Sequence, residues 1–503
     1  MVKKIDPSIQ PISETYNSFL GDESRISGHA ESISFPKNEA DVQRIVKSLL
    51  AEKTPITIQG SRTGITGAAV PIKGHLLNLS KMTNIVGMKV DKKGQFSICA
   101  QPGVLLEDLN RHLETCRFET KSWKKNDLEV LETFKKAKQQ FWPPDPTEKS
   151  ATIGGIAANN SRGICAYHYG SASRYISSLR LVDMKGDLQV FERDSDDSLF
   201  GLDFKSDSPV HWKDLLFGSE GMLGIITELT LSLEPLPNEL WSIVFFFEFQ
   251  SEAVKYIASI NSQENKEVSA KIVAIEIMDQ TTLECIQDFK QTTSQLQELP
   301  IIEPHLTTAV YLEIHGNNEH EVEQLCEKLM EKASDNNGDP DCTWAFSGEH
   351  EIERLHLFRH AAPEAVNFII DQIRQKDSRI TKLATDMCPQ TNMSLKELLE
   401  MYDQDLKTDG LRAAIFGHAG DAHLHVNILP EDYTQFKVGK RCIQNWAKKI
   451  ANKGGSVVKE HGVGKIKKSL FRSIPLPERL QKIQNIKRKL DPNELWNPGN
   501  MFE

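Results

Sequence analysis

The spacing of apolar residues predicts helices and strands that alternate through the first half of the chain. From Asn38 to Glu52 apolar residues recur at helical spacing, and Asn38 is a good N-cap for the first turn. Residues 55–59 alternate like a strand and run directly into glycines. The same rules predict strands at 75–79, 96–100, 176–183 and 225–233, and a helix that carries Leu105, Leu106, Leu109 and Leu113. We therefore expect an α+β region.

Two prolines within residues 233–238 mark a change of composition and predict a linker. Beyond them, strand patterns at 241–249 and 308–314 alternate with amphipathic helices, one of which carries Val322, Leu325, Leu329 and Met330. Residues 117–140 are Lys-rich and helical in pattern with little that looks like core, so we interpret them as a surface insertion. Residues 335–341 look like a calcium loop, but Pro340 stands where that loop needs Gly and Phe346 stands where it needs Glu, which favours a surface turn.

Composition then narrows the class of protein. The chain has 503 residues with 60 Lys plus Arg against 70 Asp plus Glu, a net charge of −10 that speaks against nucleic-acid binding. No apolar stretch reaches the roughly 18 residues of a membrane span and no secretory signal is visible, so we expect a cytoplasmic protein without a membrane span. The eight cysteines form no C-x-x-C pair, so redox chemistry would need a bound cofactor.

Three loops rich in small residues are the first candidates for chemistry. Residues 60–67 follow a predicted strand, but this loop alone fits a tight structural turn equally well, because it has neither the triphosphate-loop nor the Rossmann spacing. Residues 151–163 and 218–226 supply two more loops of this kind. A large phosphate-containing cofactor that crosses several loops explains all three together.

A cluster of histidines is the second candidate. His418, His423 and His425 lie within eight residues, and Glu460 follows after a predicted helix. A single histidine is more often a structural residue than a ligand, but clustering changes these odds. His423 and His425 project from one strand face, and the turn at 420–421 could fold His418 back toward them. The set predicts a divalent-metal site with open positions for substrate.

The motifs together resemble a known family. The FAD-binding domain of the vanillyl-alcohol-oxidase superfamily is similar to PITIQGSRTGITGAAVP (55–71), PPDPTEKSATIGGIAANNSRG (143–163), YGSASRYISSLRLVDMKGD (169–187) and FGSEGMLGIITELTLSLEP (217–235). The C-terminal half resembles the FAD-linked oxidases, the subgroup with D-lactate, glycolate and D-2-hydroxyglutarate dehydrogenases. The resemblance implies an α+β fold: a two-subdomain FAD-binding domain of the vanillyl-alcohol-oxidase (PCMH) type, an α+β substrate (cap) domain, and a C-terminal return to the FAD domain. The implied boundaries are 1–26 for an N-terminal extension, 27–235 for the FAD domain, 236–450 for the cap with the metal motif, and 451–503 for the return.

The resemblance also implies how FAD is held. The first loop lacks the histidine through which some relatives tether the flavin, so we expect non-covalent FAD. The glycines of residues 60–67 would cradle the pyrophosphate, and residues 154–163 would line the flavin side. The residues implied to bind FAD are Gln59, Gly60, Ser61, Arg62, Thr63, Gly64, Thr66, Gly67, Pro102, Gly103, Pro144, Asp145, Thr152, Gly154, Gly155, Ala158, Asn160, Gly163, Tyr169, Glu220, Gly224, Ile225, Ile226 and Asn497.

For the metal, the family pattern points to His418, His425 and Glu460 as ligands of zinc, manganese or iron. His423 stands where the family usually has Asn. It is therefore a fourth ligand, a substrate contact or a harmless replacement, and the sequence leaves these three readings open.

For the substrate, the resemblance implies that His461 is the base and that Asn427 touches the substrate. Arg359 and Lys382 lie where relatives place the cations that bind the substrate carboxylate. A buried carboxylate needs such a cation, best a bidentate Arg.

The predicted function is an FAD- and divalent-metal-dependent dehydrogenase of a small 2-hydroxy acid, which loses hydride to flavin N5 and becomes the 2-oxo acid. Electrons would pass to an electron-transfer flavoprotein, an iron–sulfur subunit or a quinone, and a homodimer is a further option. One alternative is a non-catalytic flavin-binding subunit of a larger redox complex. Another is a flavin oxidase of a different substrate class on the same fold, such as a phenol oxidase or an alkyl-ether-lipid synthase, which is disfavoured because such relatives lack the metal triad.

Overall fold

The computed structural model describes residues 6–192, 211–261, 269–347, 349–390 and 392–502. The chain divides into two compact units. The first unit comprises residues 1–163, 169–236 and 460–503, and the second comprises residues 164–168 and 237–459. The chain leaves the second unit nine residues after the predicted boundary at 451, because the backbones of Ser456 and Lys459 are hydrogen-bonded to those of Cys388 and Asp386.

The helices and strands follow in chain order. Up to residue 192 they are β1 (Gln10–Pro11), β2 (Ser32–Ser34), α1 (Glu39–Ala51), β3 (Ile56–Gln59), β4 (His75–Asn78), β5 (Ile85–Val90), β6 (Phe96–Ala100), α2 (Leu106–Thr115), α3 (Lys125–Phe134), β7 (Gln140–Phe141), α4 (Ile153–Asn159), α5 (Ala166–Tyr169), β8 (Ile176–Val182) and β9 (Leu188–Glu192). Up to residue 316 they are α6 (Trp212–Leu216), β10 (Ile225–Ser232), β11 (Glu234–Pro235), β12 (Glu239–Phe247), α7 (Gln250–Asn261), β13 (Lys271–Met278), α8 (Gln280–Lys290) and β14 (Thr308–Gly316). The remainder are α9 (Glu319–Asp335), β15 (Trp344–Ser347), α10 (Glu349–Lys376), β16 (Leu383–Ala384), α11 (Leu395–Asp409), β17 (Ala413–His418), β18 (His423–Ile428), α12 (Tyr433–Asn452), α13 (Lys468–Arg472) and α14 (Glu478–Leu490).

The first unit contains two main sheets. One has the strand order β1-β2-β4-β3, with β2 and β3 parallel to β4, and the other has the antiparallel order β5-β6-β10-β8-β9. The helix predicted behind Asn38 is confirmed, because the Asn38 side chain accepts a hydrogen bond from Asp41 N–H at the start of α1. The N-terminal extension adds strand β1 to the first sheet, and Phe19 packs edge-on against Phe35 with ring centroids 5.2 Å apart.

The predicted insertion at 117–140 is helical, as its pattern indicates, but the expectation that it carries little core is wrong. Trp123, Val130, Leu131 and Phe134 are buried, and α3 packs against strand β5. Val130, Leu131 and Phe134 share one face of the helix, so the lysines and glutamates of this segment lie on the solvent side and conceal a short amphipathic pattern.

The second unit is built on a seven-stranded antiparallel sheet with the order β15-β12-β14-β13-β17-β18-β16. Strands β13 and β14 are apolar along nearly their whole length, and most of their residues are buried, which favours a sheet covered on both faces. In helix α9 the predicted apolar face is confirmed at Val322, Leu325 and Leu329, whereas Met330 is exposed because it lies about 100° around the helix from Leu329. No helix among the described residues combines the length and apolarity of a membrane span.

Candidate functional site

The glycine-rich loops at 60–67 and 151–163 meet in the first unit. Thr152 caps helix α4 by accepting a hydrogen bond from Gly155 N–H at 3.2 Å, and its own N–H donates to Ser61 Oγ at 3.1 Å. Thr152 Oγ1 also occupies the space that a Cβ at position 60 would need. Gly60 is therefore required for the first loop to approach the second.

Further predicted glycines are also sites of close approach. A Cβ on Gly154 would lie 2.5 Å from Pro102 Cβ, and a Cβ on Gly163 would overlap with the Asp145 carbonyl group. Gly64 differs from them, since a Cβ there would meet no atom of the described residues within 4 Å. A side chain at position 64 would therefore point into open space, and the predicted contact of Gly64 with the pyrophosphate stays a prediction.

The structure places every residue of the predicted FAD set in the first unit. Among these residues, Glu220 has a structural role that the sequence did not indicate. Its carboxylate is buried and accepts hydrogen bonds from Val463 N–H at 2.6 Å and from Gly464 N–H at 3.0 and 3.1 Å. Burial raises the pKa of Glu220, although these two N–H groups oppose the shift. Glu220 therefore holds the C-terminal return in place, and its contact with adenosine stays a prediction.

Asn497 performs a similar task. Its Oδ1 accepts a hydrogen bond from Ile58 N–H at 2.7 Å, and its Nδ2 donates to the Glu220 carbonyl oxygen at 2.7 Å. Both ends of this buried amide are used by backbone. Asn497 thus joins strand β3 to the loop after α6, and its predicted flavin contact would be additional.

Glu460 and His461 also lie in the first unit. Asn159 Nδ2 donates to the Glu460 carbonyl oxygen at 2.8 Å, and Thr66 Oγ1 donates to the His461 carbonyl oxygen at 3.4 Å. Gly462 follows with φ of 77°, a conformation that favours glycine, and a Cβ there would lie 2.6 Å from Asn159 Oδ1. The backbone of the predicted base is therefore held by the loops that carry the predicted FAD residues.

In the second unit, β17, the turn after it and β18 bring together His418, His423 and His425, the histidine cluster. His418 and His423 face each other directly across the β17–β18 hairpin, with ring centroids 5.4 Å apart. His425 is two residues beyond His423, and their centroids are 4.9 Å apart. The expectation that the three imidazoles converge is confirmed, because strand alternation puts them on one face and the antiparallel register aligns them.

Two buried carboxylates orient two of these rings. Glu276 stands directly opposite His418 in the β13–β17 pairing, and its Oε1 is 2.5 Å from His418 Nδ1. Asp386 Oδ1 is 3.0 Å from His423 Nε2. Since a carboxylate only accepts, the paired nitrogen of each ring is the donor.

The third ring is oriented by backbone. His425 Nδ1 is 3.2 Å from the Thr385 carbonyl oxygen, which can only accept. A neutral imidazole that donates from one nitrogen carries a lone pair on the other, so each ring in the cluster has one nitrogen suited to a metal. Such an acceptor behind each histidine is the usual support of a metal ligand.

Of the two predicted substrate cations, Arg359 is brought to this cluster. Its Nε and one terminal nitrogen lie 3.2 and 3.1 Å from Glu276 Oε2, and both side chains are buried. Lys382 instead is exposed and donates to Asn367 Oδ1 at 2.8 Å. Asn427 is buried on β18, and its Nδ2 donates to the His425 carbonyl oxygen at 3.2 Å.

Sequence reasoning missed Glu276 and Asp386, the two carboxylates behind the histidines. Glu276 is the one acidic residue in the apolar strand β13, and a charge in such a strand indicates a buried partner. Asp386 lies four residues after Lys382, in a segment where the sequence pattern predicts only the lysine as a site residue. The sequence thus contains a signal for a buried carboxylate, but which histidine each carboxylate contacts is decided by the pairing of the strands.

Two known protein families match the chain. Residues 237–501 match the family described as FAD linked oxidases, C-terminal domain, and residues 30–120 and 126–192 match the family described as FAD binding domain. Among curated proteins, the chain is 27% identical to a D-lactate dehydrogenase of Anaerostipes hadrus, over 99% of this chain and 95% of that protein. It is 27% identical to the glycolate oxidase subunit GlcD of Bacillus subtilis (94% and 89%) and 24% identical to a D-2-hydroxyglutarate dehydrogenase of Stutzerimonas stutzeri (94% and 90%).

Two solved structures share the fold. One is p-cresol methylhydroxylase with substrate bound, with a TM-score of 0.67 and 15% identity over 99% of this chain and 94% of that one. The other is an alkyldihydroxyacetonephosphate synthase, with a TM-score of 0.65 and 15% identity over 99% and 83%. The predicted fold class, with an FAD-binding domain of the vanillyl-alcohol-oxidase type, is confirmed.

Proposed function

This chain belongs to the FAD-linked oxidases and is an FAD-dependent oxidoreductase acting on CH–OH groups, and from that premise we propose that it oxidises a small 2-hydroxy acid to the 2-oxo acid with the help of a divalent metal. The observation that carries the proposal is the histidine cluster, whose three buried rings are each oriented by an acceptor. D-lactate or a glycolate-like acid is the substrate class we favour, since proteins named for these acids are among the relatives.

The loops of the first unit fit FAD. Gly60 and Gly64 combine close backbone packing with open space, which suits a pyrophosphate, and residues 59–64 contain no histidine, which favours non-covalent binding. When bound, FAD supplies an acceptor for hydride at flavin N5. The protein then has to place the substrate α-carbon and keep competing water away.

The histidine cluster fits a divalent metal. Its rings are buried, each has a donor nitrogen already engaged, and imidazole suits zinc, manganese or iron. We assign His418 and His425 as ligands, together with Glu460 from the family pattern, and treat His423 as a fourth donor. When bound, such a metal lowers the pKa of a hydroxyl group on its substrate.

The remaining steps belong to side chains of the chain itself. We assign His461 as the base that takes the hydroxyl proton on an imidazole nitrogen. The buried Arg359 guanidinium contacts Glu276 beside the histidine cluster, and we assign it as the cation that binds the substrate carboxylate. We assign Asn427, on strand β18, as a residue that contacts the substrate. Lys382 is exposed and directly precedes β16, the edge strand of the sheet, and we assign it as a second cation for the substrate carboxylate.

Electrons must then leave the flavin. We propose a protein or quinone acceptor, such as an electron-transfer flavoprotein or an iron–sulfur subunit, and a homodimer is compatible with it. The relatives named as dehydrogenases support an acceptor of this kind over oxygen.

Anaerobic bleaching of the flavin tests the proposal. The holoprotein is mixed with a panel of D- and L-2-hydroxy acids, with and without a chelator. We expect fast bleaching by one D-acid, and a rate at least about 100-fold lower in His425→Ala. His320→Ala, which replaces an exposed histidine of helix α9, is the matched control and should bleach at the wild-type rate.

Each outcome has a distinct meaning. Bleaching that survives complete metal removal contradicts the metal's role but keeps the hydroxy acid. If no acid bleaches the metal-loaded protein, the alternative of a non-catalytic flavin-binding subunit replaces this proposal. The two solved structures do not favour their own substrate classes here, because a likeness at 15% identity concerns the fold alone.

A further inference from the structure

A second group of metal-type side chains lies in the second unit and has no part in the proposed reaction. It begins on strand β14, where Tyr311, Glu313 and His315 are separated by two residues each and therefore project to the same face. Glu313 is 6% exposed within this apolar strand. A carboxylate buried to that degree requires partners, and the partners decide what the group can do.

The partners of Glu313 come from three segments. Tyr311 donates its hydroxyl to Oε1 at 2.6 Å, and His356 Nε2, from helix α10, is 3.2 Å from the same oxygen. Cys165 donates its thiol to Oε2 at 3.0 Å. One carboxylate oxygen is thus held by a phenol and an imidazole, while the other faces a thiol.

His315 completes the arrangement. The ligand atoms of Cys165, Glu313 and His315, which we call the thiol cluster, all lie within 4.8 Å of one another. Around a tetrahedral zinc ion, ligands at about 2.0–2.3 Å from the metal are roughly 3.3–3.8 Å apart. Shifts of an ångström or less would bring the three atoms onto a metal. Thiolate, carboxylate and imidazole are the donors that zinc takes in proteins.

We propose that Cys165, Glu313 and His315 form a second divalent-cation site, selective for zinc, with a fourth position for water. The site forms with the loss of the thiol proton to solvent, so that Cys165 binds as thiolate. Tyr311 and His356 act behind it on the other oxygen of Glu313, which orients the carboxylate as supporting residues of metal sites do. Cys165, His315 and His356 are all partly exposed, which leaves a path for the ion.

The thiol cluster shares a sheet with the histidine cluster but differs from it in chemistry. Glu276, which supports His418, stands opposite Tyr311, and Glu313 is two residues further along β14. The histidine cluster contains imidazoles and no thiol. A signal from a metal–sulfur bond therefore reports the thiol cluster whatever the histidine cluster binds.

Cobalt substitution provides that signal. The holoprotein is stripped with a chelator and loaded with Co²⁺, and the difference spectrum against the stripped holoprotein is searched for the near-ultraviolet sulfur-to-cobalt charge-transfer band. We expect the band in wild type and in His425→Ala, and its loss in Cys165→Ser. Cys342→Ser, which removes another partly exposed thiol of the second unit, is the matched control and should keep the band.

Zinc binding gives the quantitative test. Stripped holoprotein is titrated with Zn²⁺, and bound zinc is measured by elemental analysis. Wild type should bind one equivalent more than Cys165→Ser, and His315→Gln should weaken that equivalent by at least about 100-fold, since a direct ligand matters more than its supporting residues. The flavin content of each variant shows whether it is folded. A wild-type protein without the charge-transfer band, or one whose zinc content is unchanged in folded Cys165→Ser, overturns the proposal.

Discussion

Glu220 of the first unit and Glu313 of the second unit are both buried carboxylates, but they are held in opposite ways. In the first unit, Glu220 is contacted by the backbone N–H groups of Val463 and Gly464, and burial raises its pKa. In the second unit, Glu313 is contacted by side chains. Burial alone would raise its pKa too, but the hydrogen bond and charge of His356, with smaller contributions from Tyr311 and Cys165, hold it at about 2.

The difference shows that a buried carboxylate can serve two purposes: to position a chain segment, or to keep a negative charge inside the protein. Backbone N–H groups fix where a chain segment lies, but as neutral dipoles they do not compensate a buried charge as a cation does. The first unit uses them to join its loops and its C-terminal return. In the second unit, the His356 imidazole contacts Glu313 and the Arg359 guanidinium contacts Glu276, and a cationic partner of this kind favours an ionised carboxylate.

The largest test of this contrast removes a buried cation from the second unit. Arg359→Met leaves Glu276 without its guanidinium partner in a buried site, and we expect the free energy of unfolding to fall by about 3–5 kcal/mol. The free energy of unfolding is measured by chemical denaturation, with circular dichroism as the signal. Arg412→Met is the matched control, because Arg412 and Glu284 form an exposed pair that should be worth about 1 kcal/mol or less. Equal losses in the two variants would contradict the contrast.

The next test concerns the glycines of the first unit. Gly60→Ala should lower the stability of the FAD-free protein by about 1–3 kcal/mol, because its methyl group overlaps Thr152 Oγ1. Gly64→Ala should leave that stability unchanged, since its methyl group meets no atom within 4 Å in the part of the chain that the structure describes. It should still raise the FAD dissociation constant by about tenfold if a phosphate lies there. Denaturation and titration with FAD measure the two effects, and unchanged FAD affinity in Gly64→Ala would remove this loop from the cofactor site.

A third test removes the side-chain amide of Asn497, which joins two backbone segments of the first unit. Asn497→Ala leaves the Ile58 N–H and the Glu220 carbonyl group without their partner, which should cost about 1–3 kcal/mol of stability. If Asn497 only joins backbone segments, the visible spectrum of the bound flavin should not change. A shifted flavin spectrum at full occupancy would instead show that Asn497 also contacts the flavin, as the sequence predicts.

The smallest test is a pH dependence. Because the folded pKa of Glu220 is raised above its ordinary value of 4.5, the native state keeps a proton that the unfolded state loses, and the Glu220 contribution to stability falls as pH rises above that value. Gln cannot titrate, so the stability of wild type relative to Glu220→Gln should decrease between about pH 4 and 7. Denaturation at several pH values checks the slope. An increase would mean that the amide hydrogen bonds outweigh burial.

Much of this organisation was visible in the sequence. The helix behind Asn38, the strand that enters the Gly60 loop and the convergence of His423 with His425 follow from local periodicity, which is set by neighbours in the chain. The segment 117–140 was misread because its buried face is only three residues wide within a lysine-rich run. Short patterns of this kind are decided by what they pack against.

The sequence by itself determined the glycine loops, the apolar strands and the histidines of β17 and β18 that share one face, because steric requirements and side-chain periodicity are local properties. Only the tertiary structure decided which partners those residues meet. Glu276 contacts His418 because the register of β13 and β17 sets them opposite each other. Cys165 contacts Glu313 because the fold brings together two segments that are far apart in the sequence. Register places each side chain on one face or the other of a sheet, and that choice depends on the whole packed sheet. The hydrogen-bond partners that set the proton positions of the histidines are therefore brought together only in the folded protein.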